Sequence, residues 1–125
     1  REVVAVWNSR SPDEVGRYYG TKAVFYDPLV AKEITGQALV SYASSIFGAF
    51  PDLHFRVASE AVGASLVMFE WSQCGTNTGS ILGLATTNRY IEIPAVSVLK
   101  FENDSLISHH DYWDMKKLMH DLGIA

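Results

Sequence analysis

The chain is poor in the residues that would place it in several large protein classes. Its one cysteine, Cys74, excludes an internal disulfide and a cysteine-based zinc site, and a reducing cytoplasm is the default location. Basic residues are few, 10 against 14 acidic ones for a net charge of -4 at pH 7. They are also scattered, so neither nucleic acid nor an anionic membrane is expected as a partner. No apolar stretch approaches the roughly 20 residues of a membrane helix, and no signal peptide is visible. The first residue is Arg1 rather than methionine, so a few residues ahead of it are expected. Linker-like composition, internal repeats and low-complexity segments are missing too, which predicts one domain over residues 1–125. The glycine-rich stretch Gly75 to Gly79 (GTNTG) follows a strand pattern but opens no helix, which excludes a phosphate-binding loop.

What is present suits a packed core: of the 125 residues, 48% are hydrophobic and 12% aromatic. Val3 to Trp7 reads as the end of a helix. Ser11-Pro12-Asp13-Glu14 starts another, with Ser11 as N-cap, Pro12 first in the helix and Glu14 closing a capping box. Val15, Tyr18 and Tyr19 form its apolar stripe. Thr21 to Tyr26 is a short strand ending at Asp27-Pro28. Leu39, Tyr42, Ala43, Ile46, Phe47 and Phe50 keep helical spacing from Gly36 to Phe50. Strands are then expected at Leu53 to Ser59, Ser65 to Cys74, Tyr90 to Phe101 and Leu106 to Trp113. The last two are joined by a tight turn at Glu102 to Ser105. Asp114 caps a closing helix that Gly123 ends. Helices first and long antiparallel strands after them predict an α+β fold, a curved sheet forming a cone with helices over its pocket.

The chemistry concentrates in His109-His110-Asp111-Tyr112-Trp113-Asp114. Strand alternation puts Ile107, His109, Asp111 and Trp113 on one face. If that face looks into an apolar pocket, burial raises the Asp111 pKa and suits it to general acid/base work. The plainer reading pairs Asp111 with His109, His110 or Arg56 for structure. His109 either relays a proton or is a hydrogen-bonded core histidine. Adjacent histidines point to opposite faces, so His109 and His110 make no chelating pair; His54 and His120 are expected in solvent, and no metal site is predicted. Asp27 is a turn cap or a second proton-handling group, and two carboxyls sharing a cavity would separate into one acid and one base. Trp7, Tyr18, Phe50, Trp71 and Trp113 are core or pocket wall, and Asn77 is a candidate hydrogen-bond donor to a ligand. Glu70, on a strand face with Leu66 and Met68, lines the cavity or pairs at a subunit interface.

In order and spacing these segments resemble the SnoaL-like branch of the NTF2-like superfamily, cone-shaped α+β barrels that include polyketide cyclases, ketosteroid isomerases and limonene epoxide hydrolase. The resemblance rests on Val4 to Asn8 with Asp13, Val24 to Pro28, Gly36 with Phe47 to Asp52 (FGAFPD), the Gly75 to Gly79 and Thr87 to Arg89 hairpin, and Asp114 to Gly123. Asp111 to Asp114 (DYWD) is similar to the hydrolase's Asp-Tyr-Phe-Asp, whose first aspartate is catalytic; that maps to Asp111. The cyclases' catalytic aspartate matches Asp111 or Asp114. Asp27, with Tyr26 beside it, falls where these enzymes place a polar pocket residue. The hydrolase's Arg-x-Asp pair has no counterpart in Phe69 to Cys74 (FEWSQC), which argues against epoxide hydrolysis by its mechanism. The resemblance implies a cofactor-independent isomerase, dehydratase or aldol-type cyclase acting on an apolar carbonyl compound. Asp111 would move the proton, and His109, Asp27 or Tyr26 would stabilise the oxyanion. A non-catalytic ligand-binding or dimerisation module of the same fold is the alternative. Val96 and Val98 on one side of their strand, and Leu99 and Phe101 on the other, predict a homodimer through the sheet.

Overall fold

The structure is a computed structural model and describes residues 2–80, 83 and 85–124. Two short helices, α1 (Glu2–Asn8) and α2 (Pro12–Tyr19), precede the small strands β1 (Val24–Tyr26) and β2 (Glu33–Ile34) and the long helix α3 (Gly36–Ala49). Four long strands follow, β3 (His54–Val62), β4 (Leu66–Thr76), β5 (Tyr90–Glu102) and β6 (Ser105–Trp113), and α4 (Met115–Leu122) ends the chain. The α+β expectation holds. The sheet order is β2-β1-β6-β5-β4-β3, antiparallel except where β1 runs parallel to β6. It curves but does not close, so the cone is an open sheet rather than a barrel.

Local chemistry explains the boundaries. Ser11 Oγ accepts from the Glu14 N–H, as an N-cap should. The capping box is incomplete, because the Glu14 carboxylate turns to Arg17 and the Ser11 N–H takes Ser9 Oγ instead. Asp114 caps α4 by accepting from the Lys117 N–H, and Gly123, at φ 74°, closes it in the left-handed conformation. Asn103 and Asp104 make the β5–β6 turn with φ 50° and 65°, the geometry of a two-residue hairpin. The first strand is shorter than its expected Thr21 start, because the chain is still turning after α2.

Alternation along β5 sends Ile91, Ile93, Ala95, Ser97 and Leu99 to the concave face and Glu92, Pro94 and Lys100 outward. Pro94 is tolerated because β6 ends at Trp113, opposite Ala95, so no β6 partner awaits its missing N–H. Two irregularities bend the sheet. One skips Ala58 on β3; the other leaves Ile107 unpaired between Leu106 and Ser108 on β6. Ile107 is therefore exposed, unlike the inward His109 and Asp111 with which alternation had grouped it. The core fills the space between this concave face and the helices, with Val3, Trp7, Val15, Leu39, Ala43 and Phe47 facing Phe25, Phe69 and Ile93.

Candidate active site

Polar side chains are almost excluded from that core, and those that enter it gather together. Asp27, Asn77, Ser97, His109 and Asp111 are buried, and all except Asn77 line one cavity. Strand parity delivers three of them. Ser97 on β5 lies directly opposite Asp111 on β6, and His109 is two residues before Asp111 on the same face. Asp27 arrives just past the end of β1, whose parallel pairing sets Tyr26 against His110. The cavity measures about 30 Å³, and Val3, Val4, Trp7, Phe25, Tyr42, Phe55, Phe69 and Trp71 complete its lining.

The hydrogen bonds run one way. Trp7 Nε1–H donates to the Tyr19 hydroxyl (2.9 Å), which lies 2.6 Å from His109 Nδ1. His109 Nε2 lies 2.6 Å from Asp111 Oδ1. Trp71 Nε1–H donates to Ser97 Oγ (2.7 Å), and Ser97 donates to the same Asp111 oxygen at 2.6 Å. His109 Nε2–H donates to Asp111, and the Tyr19 hydroxyl shares the hydrogen bond at His109 Nδ1. Both chains end on Asp111 Oδ1. Asp27 accepts from the Leu29 N–H and from Trp113 Nε1–H, each at 3.0 Å.

The two carboxyls are driven apart. Burial, then the charge of Asp111 and hydrogen bonding with it, pushes Asp27 well above the usual carboxylate range; Leu29 and Trp113 only partly oppose this. Burial also acts upward on Asp111. There the His109 charge, with hydrogen bonds from His109, Asp27 and Ser97, prevails and holds the group below its ordinary value. The raised pKa expected of Asp111 is thus found on Asp27, because the donors converge on Asp111. Burial and the charges of Asp27 and Asp111 likewise raise Tyr42.

Of the residues singled out in the sequence, Asp111, His109, Asp27, Trp7 and Trp71 meet at this cavity. Phe50 and Trp113 line a second void of about 20 Å³, and Tyr42 borders both. Tyr26 points away, since alternation turns its ring to His110 and Tyr112 on the opposite side of the sheet. Tyr18 is half-buried and edge-on to Tyr19; Tyr19 is the tyrosine that reaches His109. Asn77 does not serve the cavity. Its amide donates to the Ala49 and Gly79 carbonyls and accepts from Thr87, holding the hairpin against α3. The approach is so close that a Cβ on Gly79 would come within 1.9 Å of the Gly48 carbonyl oxygen.

Glu70 is exposed and accepts from Ser59, and Arg56 pairs with Glu92 rather than Asp111. Asp114 is an exposed cap, so Asp111 is the carboxylate of the cavity. Ser97, Tyr19 and Tyr42 were missed. Ser97 was detectable as the one hydroxyl on an otherwise apolar strand face; the tyrosines look like ordinary helix stripe.

A curved sheet closed over by helices is the architecture of the ketosteroid isomerase-like folds, and here a buried carboxyl pair sits in its hollow. A sequence model of the SnoaL-like polyketide cyclases matches residues 1–122, and the chain belongs to that family. Solved structures agree on the fold. The chain is similar to AclR from Streptomyces galilaeus at 24% identity, covering 99% of this chain and 78% of that one with a TM-score of 0.83. It is similar to a ketosteroid isomerase-like protein from Catenulispora acidiphila, solved with trimethylamine, at 14% identity, 99% and 91% coverage and a TM-score of 0.83. SalBIII, an epoxide hydrolase/cyclase-like enzyme of pyran ring formation in salinomycin, is similar at 19% identity, 92% and 87% coverage and a TM-score of 0.74. No curated protein matches the chain. Among the described residues no helix is long and apolar enough to cross a membrane, and no cluster of three potential metal ligands occurs.

Proposed function

We propose that the protein is a cofactor-independent acid/base enzyme that moves a proton next to the carbonyl group of a small molecule. The observation that carries this reading is the Asp27–Asp111 pair, two carboxyls in one apolar cavity with proton affinities displaced in opposite directions. Asp111, ionised, takes the proton from the carbon beside the carbonyl. Asp27, protonated, gives its proton to the carbonyl oxygen, and an enol results. The pair begins and ends with one proton and one negative charge, so no net charge builds up in the low-dielectric cavity. Delivery of the Asp111 proton to another carbon of a conjugated enol, as the enol O–H returns its proton to Asp27, gives isomerisation; attack of the enol carbon on a second carbonyl, whose oxygen takes the Asp111 proton while the enol O–H returns its own to Asp27, gives ring closure. His109, held from behind by Tyr19 and Trp7, fixes the Asp111 orientation. Tyr26 has no part, because it faces the other side of the sheet. Where the epoxide hydrolase carries its Arg-x-Asp pair, β4 presents Phe69 and Trp71 to the cavity, which speaks against that chemistry.

The test is exchange of the protons beside the carbonyl of small ketones in D2O, followed by proton NMR. Asp111→Asn and Asp27→Asn should each slow enzyme-dependent exchange about 10²–10⁴-fold, with the fold checked by circular dichroism. Unchanged exchange in a folded Asp111→Asn protein overturns the mechanism. The small cavity favours one second reading, a binding module whose buried polar network is structural. Ligand binding that survives both substitutions, without exchange in the wild type, would establish it.

We further propose a homodimer through the outer sheet face, where Leu66, Met68 and Tyr112 are exposed around Val96 and Val98. A monomer in sedimentation at micromolar concentration would overturn this. Cytoplasm is the location we propose, with Cys74 buried and unpaired.

A further inference from the structure

The cavity that holds the carboxyl pair is closed. Its volume of about 30 Å³ has room for about two water molecules and not for a substrate. A wall must yield before any carbonyl compound reaches Asp27 and Asp111. Most of the wall is tied down. Trp7 and Trp71 donate to Tyr19 and Ser97, His109 and Ser97 are bound to Asp111, and Phe25 and Phe69 belong to the core. Tyr42 differs from all of these. Of the residues lining the cavity, it alone also borders the void of about 20 Å³ and a third hollow, an open surface groove of about 700 Å³. The residue is half-buried, while its hydroxyl is buried beside Asp27. One side chain thus stands between the reacting groups and a space of substrate size.

The groove is built by the segments that hold the acid. Helix α3 supplies Tyr42, Ser44, Ser45 and Ile46, and the turn after β1 supplies Leu29 and Val30. That turn is fastened to Asp27. The Asp27 carbonyl accepts from the Val30 and Ala31 N–H groups, each at 2.9 Å, and its carboxyl accepts from the Leu29 N–H at 3.0 Å. The groove wall therefore begins two residues from the proton donor. Apolar side chains and hydroxyls share its surface, and none of the described residues around it is charged, which suits an uncharged, mainly apolar body.

We infer that the body of the substrate lies in this groove, and that Tyr42 is the specificity-determining residue whose ring, turned aside, admits the carbonyl end to the Asp27–Asp111 pair. The inference rests on the acid/base reading above. It makes the substrate a carbonyl compound with an elongated, uncharged, apolar body. The rival entrance lies beside α1, where Val4 and Phe55 are the other half-buried residues of the cavity wall.

The experiment measures binding and proton exchange with two neutral probes, methyl hexyl ketone and acetone. Binding is read from backbone N–H signals in two-dimensional NMR. The hexyl ketone is expected to bind at least tenfold tighter than acetone, because its chain is buried, and to shift the Val30, Ser45 and Ile46 signals. Ser45→Trp, at an exposed helix position, fills the groove. It should lower kcat/KM for exchange of the hexyl ketone at least fivefold more than that of acetone. Tyr42→Ala opens the partition, so kcat/KM for methyl tert-butyl ketone, branched beside its carbonyl, should rise at least tenfold relative to acetone. The ratio cancels any general loss through Asp27, and Ser45→Trp decides if Tyr42→Ala fails to fold. Binding indifferent to chain length, shifts confined to the outer sheet face around Val96 and Tyr112, or a larger change in the ratio from Phe55→Ala than from Tyr42→Ala overturns the inference. The broader reading fails separately. Exchange that ignores chain length and Ser45→Trp keeps the acid/base enzyme and removes the groove, while groove binding without exchange of either ketone does the reverse.

Discussion

His109 and His110 are neighbours in the chain, and each meets a carboxylate on the side of the sheet to which it points. His109 Nε2 lies 2.6 Å from Asp111, with side chains 4% and 6% exposed. His110 Nε2 lies 2.9 Å from Glu33, with side chains 30% and 59% exposed. The distances are similar, but the consequences are not. On the outer face, water solvates both groups whether or not they touch, so the pair is nearly optional. On the inner face the partners are each other's solvation. Removing one strands Ser97, Trp71, Tyr19 and Trp7 in sequence behind it. Strand parity alone assigns the two histidines to these different settings.

The comparison is broken most forcefully by Asp111→Ala, which leaves the donors of Ser97 and His109 without their common acceptor. A loss of about 3–5 kcal/mol in chemical denaturation is expected; a loss below about 1 kcal/mol would show that the inner pair behaves like the outer one. Ser97→Ala comes next, because the buried indole N–H of Trp71 then has no acceptor. It should cost about 1–3 kcal/mol by the same measurement.

Asp27→Asn sharpens the contrast through pH. Asp27 is raised in the folded state, so its contribution to stability is complete below the ordinary carboxyl range and is lost as pH rises towards its folded value. The unfolding free energy of the wild type should therefore decline as pH rises above about 4, at up to about 1.4 kcal/mol per pH unit, with melting temperature following it, while Asp27→Asn flattens this slope. Asp111, held low, acts oppositely: its contribution is present above the ordinary range and disappears on acidification. An identical slope in the variant would mean that Asp27 is not the group retaining the proton. The smallest effect belongs to Glu33→Gln, expected to change stability by less than about 1 kcal/mol and to shrink further in high salt. A larger change in the monomer would show the outer pair to be more than solvent-screened.

Much of the frame was legible residue by residue. Ser11 and Asp114 announced helix starts, Gly123 a helix end, and Asn103-Asp104 a hairpin, because capping and turn chemistry act within a few residues. The inward direction of His109 and Asp111 was legible for the same reason, but Ile107 was not, since an unpaired residue on β6 depends on what β5 does across the ladder. The choice between Tyr18 and Tyr19 was equally out of reach. Both belong to one apolar stripe, and only the angle at which α2 meets the sheet sends Tyr19 to the imidazole. Asn77 looked like a ligand donor because its role, clamping Ala49 and Thr87, joins segments distant in the chain.

Periodicity and end signals in the sequence were sufficient for the α+β layout and the buried carboxylate on the last strand. Those properties are local, carried by side-chain chemistry at spacings of two to four residues. Tertiary structure alone decided which carboxyl keeps the proton. The outcome turns on Ser97 and His109 converging on Asp111 while Asp27 is left to burial and its neighbour's charge, and a pKa answers to distances between segments that the chain order does not contain.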